Sequence, residues 1–257
     1  MLANRGRMKS IAATYAAFTL LAALSVFGQA PVKVLASNGV KGVVEKLQPK
    51  LEHAAGHPLS IQYGTTASFR QKIGAGEPFD LVILTTEAVD DLVKAGQVSA
   101  ASQAGLARCG VGVGIRKGAP KPDISSAASL KQSLLNAKSV VYVTAGASRP
   151  TIEAMASHLG ITDQLKAKTQ FAANSGEAGD AVASGKAELL ITLVSEIVTV
   201  PGAELAGPLP AEVQGYIHFA AGVGAKAENA EAAKKVIAYL TSAAAAPTYK
   251  ASGMETH

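Results

Sequence analysis

Leu59-Ser-Ile-Gln-Tyr-Gly-Thr-Thr-Ala-Ser-Phe-Arg-Gln-Lys-Ile-Gly-Ala-Gly-Glu-Pro-Phe-Asp-Leu-Val-Ile-Leu84 contains one full repeat of an alternating architecture. Residues 59–63 alternate apolar and polar side chains as a strand does, 67–73 suit a short helix, Gly74-Ala75-Gly76 closes it, and 80–84 form an apolar strand. Upstream, 32–36 reads as a strand and 40–55 as a helix with Val40, Val43, Val44, Leu47 and Leu51 on one face. Gly56 and Pro58 stop that helix. Downstream, 87–95 is again helical. Strands alternating with helices in this way predict an α/β fold, a parallel sheet covered on both faces.

The rhythm breaks at 96–105, a stretch rich in Ser, Ala and Gln, and 106–116 is a long glycine-interrupted strand suited to crossing between two lobes. Alternation then restarts, with helices over 130–135, 150–159 and 178–183 and strands over 140–143 and 188–193. Residues 201–210 read as a loop, 215–224 as a second glycine-rich strand that crosses back, and 230–245 as a terminal helix. The expected organisation is two lobes, each a mostly parallel sheet flanked by helices. Residues 31–108 plus 216–257 would form the first, and 109–215 the second.

The first thirty residues stand apart. Arg5, Arg7 and Lys9 precede an uncharged apolar run from 11 to 26, and Gly28-Gln29-Ala30 supplies small residues for cleavage. This reads as a signal peptide over 1–30, cut after Ala30 or, because Pro31 follows awkwardly, after Gly28. The run is short for a membrane span of about 20 residues, so an exported, periplasmic protein is expected. The net charge of +5 includes the three leader cations, and the remainder is only weakly basic, with no basic tail to favour nucleic acid. The single cysteine, Cys109, reads as a small buried residue on a strand. Without Trp or a disulfide framework, stability must come from an aliphatic core.

Catalytic signatures are absent. There is no phosphate-binding Gly-x4-Gly-Lys loop and no Gly-x-Ser-x-Gly elbow. Gly110, Gly112 and Gly114 read as strand glycines, and His53 and His57 as a solvated helix end, not a metal pair. No enzyme, cofactor or metal is expected. What recurs is hydroxyl-rich turns where strands give way to helices: Ser37-Asn38-Gly39, Thr65-Thr66-Ala67-Ser68, Ala147-Ser148-Arg149 and Asn174-Ser175-Gly176. Each alone is a helix cap. Together, at strand C-termini in two lobes, they describe an anion cradle of free N–H groups and helix dipoles. Arg149 precedes Pro150, which places it at an N-cap, where it either joins an anion or points to solvent. Arg70 reads as a surface residue within reach of the cleft rim.

Ser37-Asn38-Gly39, the segment from Gly64 to Gly76, and Glu77-Pro-Phe-Asp-Leu-Val-Ile-Leu84 resemble the molybdate-binding protein family of ABC importers, most specifically over 61–84. The resemblance implies a type II periplasmic binding fold with two crossing strands and a ligand between the lobes. It implies ligand contacts at Ser37, Asn38, Thr65 and Thr66, with Ala67 or Ser68 giving backbone N–H, and in the second lobe near Ser148, Arg149, Ser175 and Gly176. Leu193 stands where that family carries a tyrosine. The expected function is therefore the monomeric substrate-binding component of an ABC importer, capturing a molybdate-like oxyanion or, alternatively, an organic carboxylate, for a permease in the inner membrane. An extracytoplasmic ligand sensor is the other reading.

Overall fold

The computed structural model describes residues 29–256, so nearly all of the leader-like segment lies outside the described residues. Strand β1 (Val32–Ser37) leads through a 3-10 turn (Asn38–Val40) into helix α1 (Lys41–Ala55). The apolar stripe expected on α1 is its buried face, and Gly56 ends it with φ 74, a left-handed cap that glycine adopts without strain. β2 (Leu59–Gly64), α2 (Thr66–Gly74), β3 (Leu81–Thr85) and α3 (Thr86–Lys94) complete the first alternation. β1 lies between β2 and β3 and is parallel to both.

β4 (Ala104–Arg116) runs through both halves of the molecule. It is followed by α4 (Ala127–Asn136), β5 (Val140–Val143), α5 (Arg149–His158), α6 (Thr162–Ala167), β6 (Thr169–Ala172), α7 (Ser175–Ala183), β7 (Leu189–Leu193), α8 (Val194–Ile197) and β8 (Ala203–Pro208). The chain then returns as β9 (Tyr216–Val223), α9 (Ala230–Leu240), α10 (Ala246–Ala251) and β10 (Glu255–Thr256). The strand order is β2-β1-β3-β9-β4-β7-β5-β6, with β8 and β10 paired to β4. This is a mixed α/β, two-lobed arrangement.

β4 holds the two halves together by changing partners. Its residues from Ala104 to Gly110 pair antiparallel with β9, and from Val111 onward they pair with β7 and β8. At the changeover the Gln214 side chain imitates a neighbouring strand: Oε1 accepts from Val111 N at 2.9 Å and Nε2 donates to Val111 O at 2.9 Å. Gly112 and Gly114 lie on one face of β4. A Cβ there would sit 3.0 Å from Val194 Cγ2 and 3.0 Å from Ile197 Cγ2, so the missing side chains let α8 lie against the strand.

Several local expectations change. Residues 203–208 are a strand, not loop, because β4 needs an edge partner beside Gly112–Arg116. β9 pairs with β3 and the part of β4 before Val111, so the chain has returned to the first half where β9 begins, and the strand itself does not span both halves. The terminal helix stops at Leu240, and a second short helix follows. β6, too short and polar to stand out, pairs parallel with β5. The core is aliphatic as expected: one cluster runs through both halves, and two smaller ones cover the opposite sheet faces. Cys109 is buried in it.

Candidate functional site

The hydroxyl-bearing turns lie where β1, β2, β5 and β6 end and the next helices begin. Ser37 is buried, and its Oγ accepts from Gly39 N at 3.3 Å, capping the 3-10 turn. Thr65 caps α2 by accepting from Ser68 N at 3.1 Å. Thr66 follows in the first turn, and its Oγ1 is buried with no hydrogen-bond partner. A buried hydroxyl left unpaired costs free energy unless something else bonds to it.

Thr66 and Ala67 face a cleft of about 390 Å³ shared by the two halves, whose far wall is the turn Ala145-Gly146-Ala147 with Pro150 and Thr151. Arg70 and Glu87 also line this cleft, and Arg70 is held 2.7 Å from Asp91. The first turns of α2 and α5 meet here, so orphan N–H groups and two positive helix ends border one space.

A second meeting point joins the other turns. Asn38 Nδ2 lies 3.5 Å from Ser175 Oγ, the outer limit of a hydrogen bond. Ser175 Oγ donates to Glu196 Oε1 at 2.8 Å, and Thr192 Oγ1 donates to Glu196 Oε2. Burial pushes the Glu196 carboxyl up, and the hydroxyl bonds only partly counter it. Ser195 Oγ donates to Gly39 O at 2.7 Å, another link between the halves. Leu193 is buried with its Cδ1 against Gly39, so an apolar contact occupies the position compared with a tyrosine.

The remaining expected residues fall as follows. Ser148, not Arg149, is the N-cap of α5; Arg149 is its first residue, and Pro150 follows at the second position. Arg149 turns outward: Nε donates to Glu153 Oε1 at 2.7 Å, Nη1 donates to Thr144 O at 2.5 Å, and the guanidinium lies 5.6 Å from the Phe171 ring centre. The i, i+4 carboxylate of Glu153 captures the cation that an N-cap position would disfavour. Asn174 caps α7, accepting from Glu177 N at 3.0 Å, which leaves Ser175 and Gly176 in the first turn. Thr66 and Ala67 thus share the cleft with the 145–151 turn, and Asn38 meets Ser175, while the Arg149 side chain is engaged elsewhere.

Glu196, Thr192 and Ser195 were not singled out from the sequence. An acid in the first turn of a short helix reads as an ordinary dipole partner, and only the fold brings it to Ser175. Cys109 and Ser195 touch at 3.3 Å, but burial pushes the thiol up and leaves it un-ionised, which does not suit a nucleophile. Among the described residues, no group of three or more His, Cys, Asp or Glu side chains could hold a metal ion, and no helix is long and apolar enough to cross a membrane.

Strands that change partners between two halves, with capped helix ends meeting between them, are the arrangement of the type II periplasmic binding fold. The chain belongs to the bacterial extracellular solute-binding protein family, whose model matches residues 32–255. It is 30% identical over 244 residues to an aconitate isomerase from a Pseudomonas species, covering 92% of this chain and 93% of that one. The periplasmic molybdate-binding protein of Azotobacter vinelandii superposes with a TM-score of 0.73 at 20% identity, covering 88% of this chain and 99% of the other. A sulfate-binding protein of Mycobacterium tuberculosis superposes at 0.71 with 17% identity, covering 89% and 87%. At such identities the likeness shows the fold, and the ligands named differ.

Proposed function

We propose that this protein is the periplasmic ligand-capturing component of an ABC importer, and that its ligand is a small polycarboxylate of the aconitate kind. The observation that carries this reading is the cleft lined by Thr66, whose buried hydroxyl is unpaired, and by Arg70, across from the turn that opens α5. A guanidinium matches a carboxylate by two parallel N–H bonds, whereas hydroxyls and amides alone suffice for a compact oxyanion. Each hydrogen bond to a charged partner contributes about 1.5–3 kcal/mol, and several together offset the dehydration of the anion. The isomerase relative supports the same ligand class.

The lobes in this reading are 31–108 plus 216–257, and 109–215, joined where β4 changes partners and where the chain enters β9. Because donors come from both, the anion favours the closed form, which a monomer presents to its permease. Titration calorimetry with trans-aconitate, cis-aconitate, citrate, molybdate, tungstate and sulfate tests it. Micromolar or tighter binding of a tricarboxylate is expected; binding of molybdate or tungstate alone would restore the oxyanion reading.

A second reading, favoured by the isomerase relative, is that the bound ligand is also converted. Proton NMR of trans-aconitate in heavy water, with and without protein, distinguishes them: solvent deuterium entering the ligand as the cis isomer appears would make the protein an enzyme.

A further inference from the structure

We infer that an anion bound between the two halves engages Ser175, at the Asn38 meeting point and not on the wall of the Thr66 cleft, and is taken up together with one proton, which is stored on Glu196. This rests on the proposed anion-binding reading and adds to it a coupling to pH. The argument is a count of hydrogens. An ionised carboxylate has none to give, so Glu196 must accept from both of its partners, the hydroxyls of Ser175 and Thr192. Each hydroxyl owns a single hydrogen, and both are then turned toward Glu196. Asn38 Nδ2 also directs a hydrogen at Ser175 Oγ. An anion arriving at Ser175 therefore meets lone pairs, with a negative carboxylate 2.8 Å behind them.

A proton on Glu196 reverses this arrangement. The carboxylic acid donates to Ser175 Oγ, and the Ser175 hydrogen is released to point at the ligand. Thr192 is only 3% exposed, so Ser175 is the hydroxyl of the pair that a ligand can reach. The like-charge repulsion disappears at the same time. The step is a protonation from solvent: one carboxyl O–H bond forms, and no other covalent bond changes.

Among the described residues, the elements packed on α8 offer Glu196 no cation. α8 packs on β4, β7, β8, the Asn38–Val40 turn and α1. The Cys109 thiol of β4 stays neutral through burial. Arg108 of β4 is bound to Glu255 at 2.6 Å, Lys41 and Glu45 of α1 pair at 3.8 Å, and Lys46 reaches Ser252 at 3.3 Å. Arg116 of β4 and Glu204 of β8 lie past Gly114, where Ile197 rests. On α7, Glu177 accepts from Ala173 N at 2.8 Å. Burial, unopposed by a positive charge, holds the Glu196 carboxyl above its usual range, which supports storage of a proton there.

Calorimetry with trans-aconitate near neutral pH, repeated in buffers of different ionisation enthalpy, counts the protons exchanged. The wild-type protein should take up a fraction approaching one proton per ligand, with affinity falling by up to about tenfold per pH unit as pH rises. Glu196→Gln, neutral at every pH, should bind with that uptake abolished and a flat profile. Binding by the wild type with no proton uptake would overturn the proposal while leaving the anion-binding reading intact, as would undiminished uptake in Glu196→Gln. If wild-type protein binds none of trans-aconitate, citrate, molybdate or sulfate, both fail together. The wild-type measurement decides even if the variant does not fold.

Discussion

Ser195 Oγ donates to the backbone carbonyl of Gly39 across 2.7 Å, tying the start of α8 to the turn after β1. The turn can come this close because Gly39 has no side chain. A Cβ there would lie 2.5 Å from Phe219 Cζ and 2.8 Å from Leu193 Cδ1. Gly39→Val should therefore destabilise the protein by about 1–3 kcal/mol through overpacking, read as a lower urea midpoint. Ser195→Ala should cost about 1 kcal/mol and weaken ligand binding several-fold by loosening the contact between the halves.

Thr66 Oγ1 is buried without a partner in the free protein, which is a cost that a bound ligand would relieve. Thr66→Ala should leave the unfolding midpoint unchanged or slightly raised and weaken tricarboxylate binding about tenfold, the equivalent of about 1.4 kcal/mol. Arg70→Ala, which removes the cation lining the cleft although Asp91 also holds it, should weaken carboxylates at least as much, while Arg149→Ala, outside that lining and held by Glu153 and Thr144, should matter less. Calorimetry on the three variants gives the ranking, and a larger loss at Arg149 than at Arg70 would contradict it.

Asp80 is 1% exposed, at the end of the sheet where the strands begin. Burial pushes its carboxyl up, but donation from Lys33 N at 2.8 Å, Asn229 N at 3.0 Å and Asn229 Nδ2 at 3.2 Å outweighs this and holds it below the ordinary range. The sign follows from linkage: the stabilisation is complete above the unfolded value of about 4 and is lost as pH falls through the lower folded value. Asp80→Ala should cost about 2–3 kcal/mol at neutral pH by stranding those donors, and its stability should fall less steeply than wild type below about pH 4. Denaturant titrations at neutral and acid pH provide the measurement.

Gln214 pairs with both polar atoms of Val111, where β4 leaves β9 and joins β7 and β8. Gln214→Ala should cost about 1–3 kcal/mol because a buried peptide group loses its partners. Amide hydrogen exchange should quicken at Val111 before it quickens elsewhere in β4. Uniform quickening would mean the side chain has no special part at this junction.

Residues 59–84 were legible because each signal there is local: alternation for the strands, a Thr cap for α2, a glycine run to close it. β8 was not legible, since Gly207 and Pro208, with Pro201 and Gly202 just before the strand, are turn residues by composition, and 203–208 becomes strand only because β4 offers an unpaired edge. The restriction before Pro150 points to an N-cap at Arg149, but the turn at Ser148 supplies the cap and leaves Arg149 as the first helical residue.

Periodicity and punctuation in the chain were enough to determine an α/β protein, its two alternating runs, and the hydroxyl turns that open its helices. These depend on neighbours three or four residues away. The pairing of Asn38 with Ser175, the sharing of one cleft by Thr66 and the 145–151 turn, and the setting of the half-buried Glu196 were decided only by tertiary structure. The first two join residues more than seventy positions apart, and a carboxyl's environment, unlike a helix cap, is set by whatever the rest of the fold packs around it.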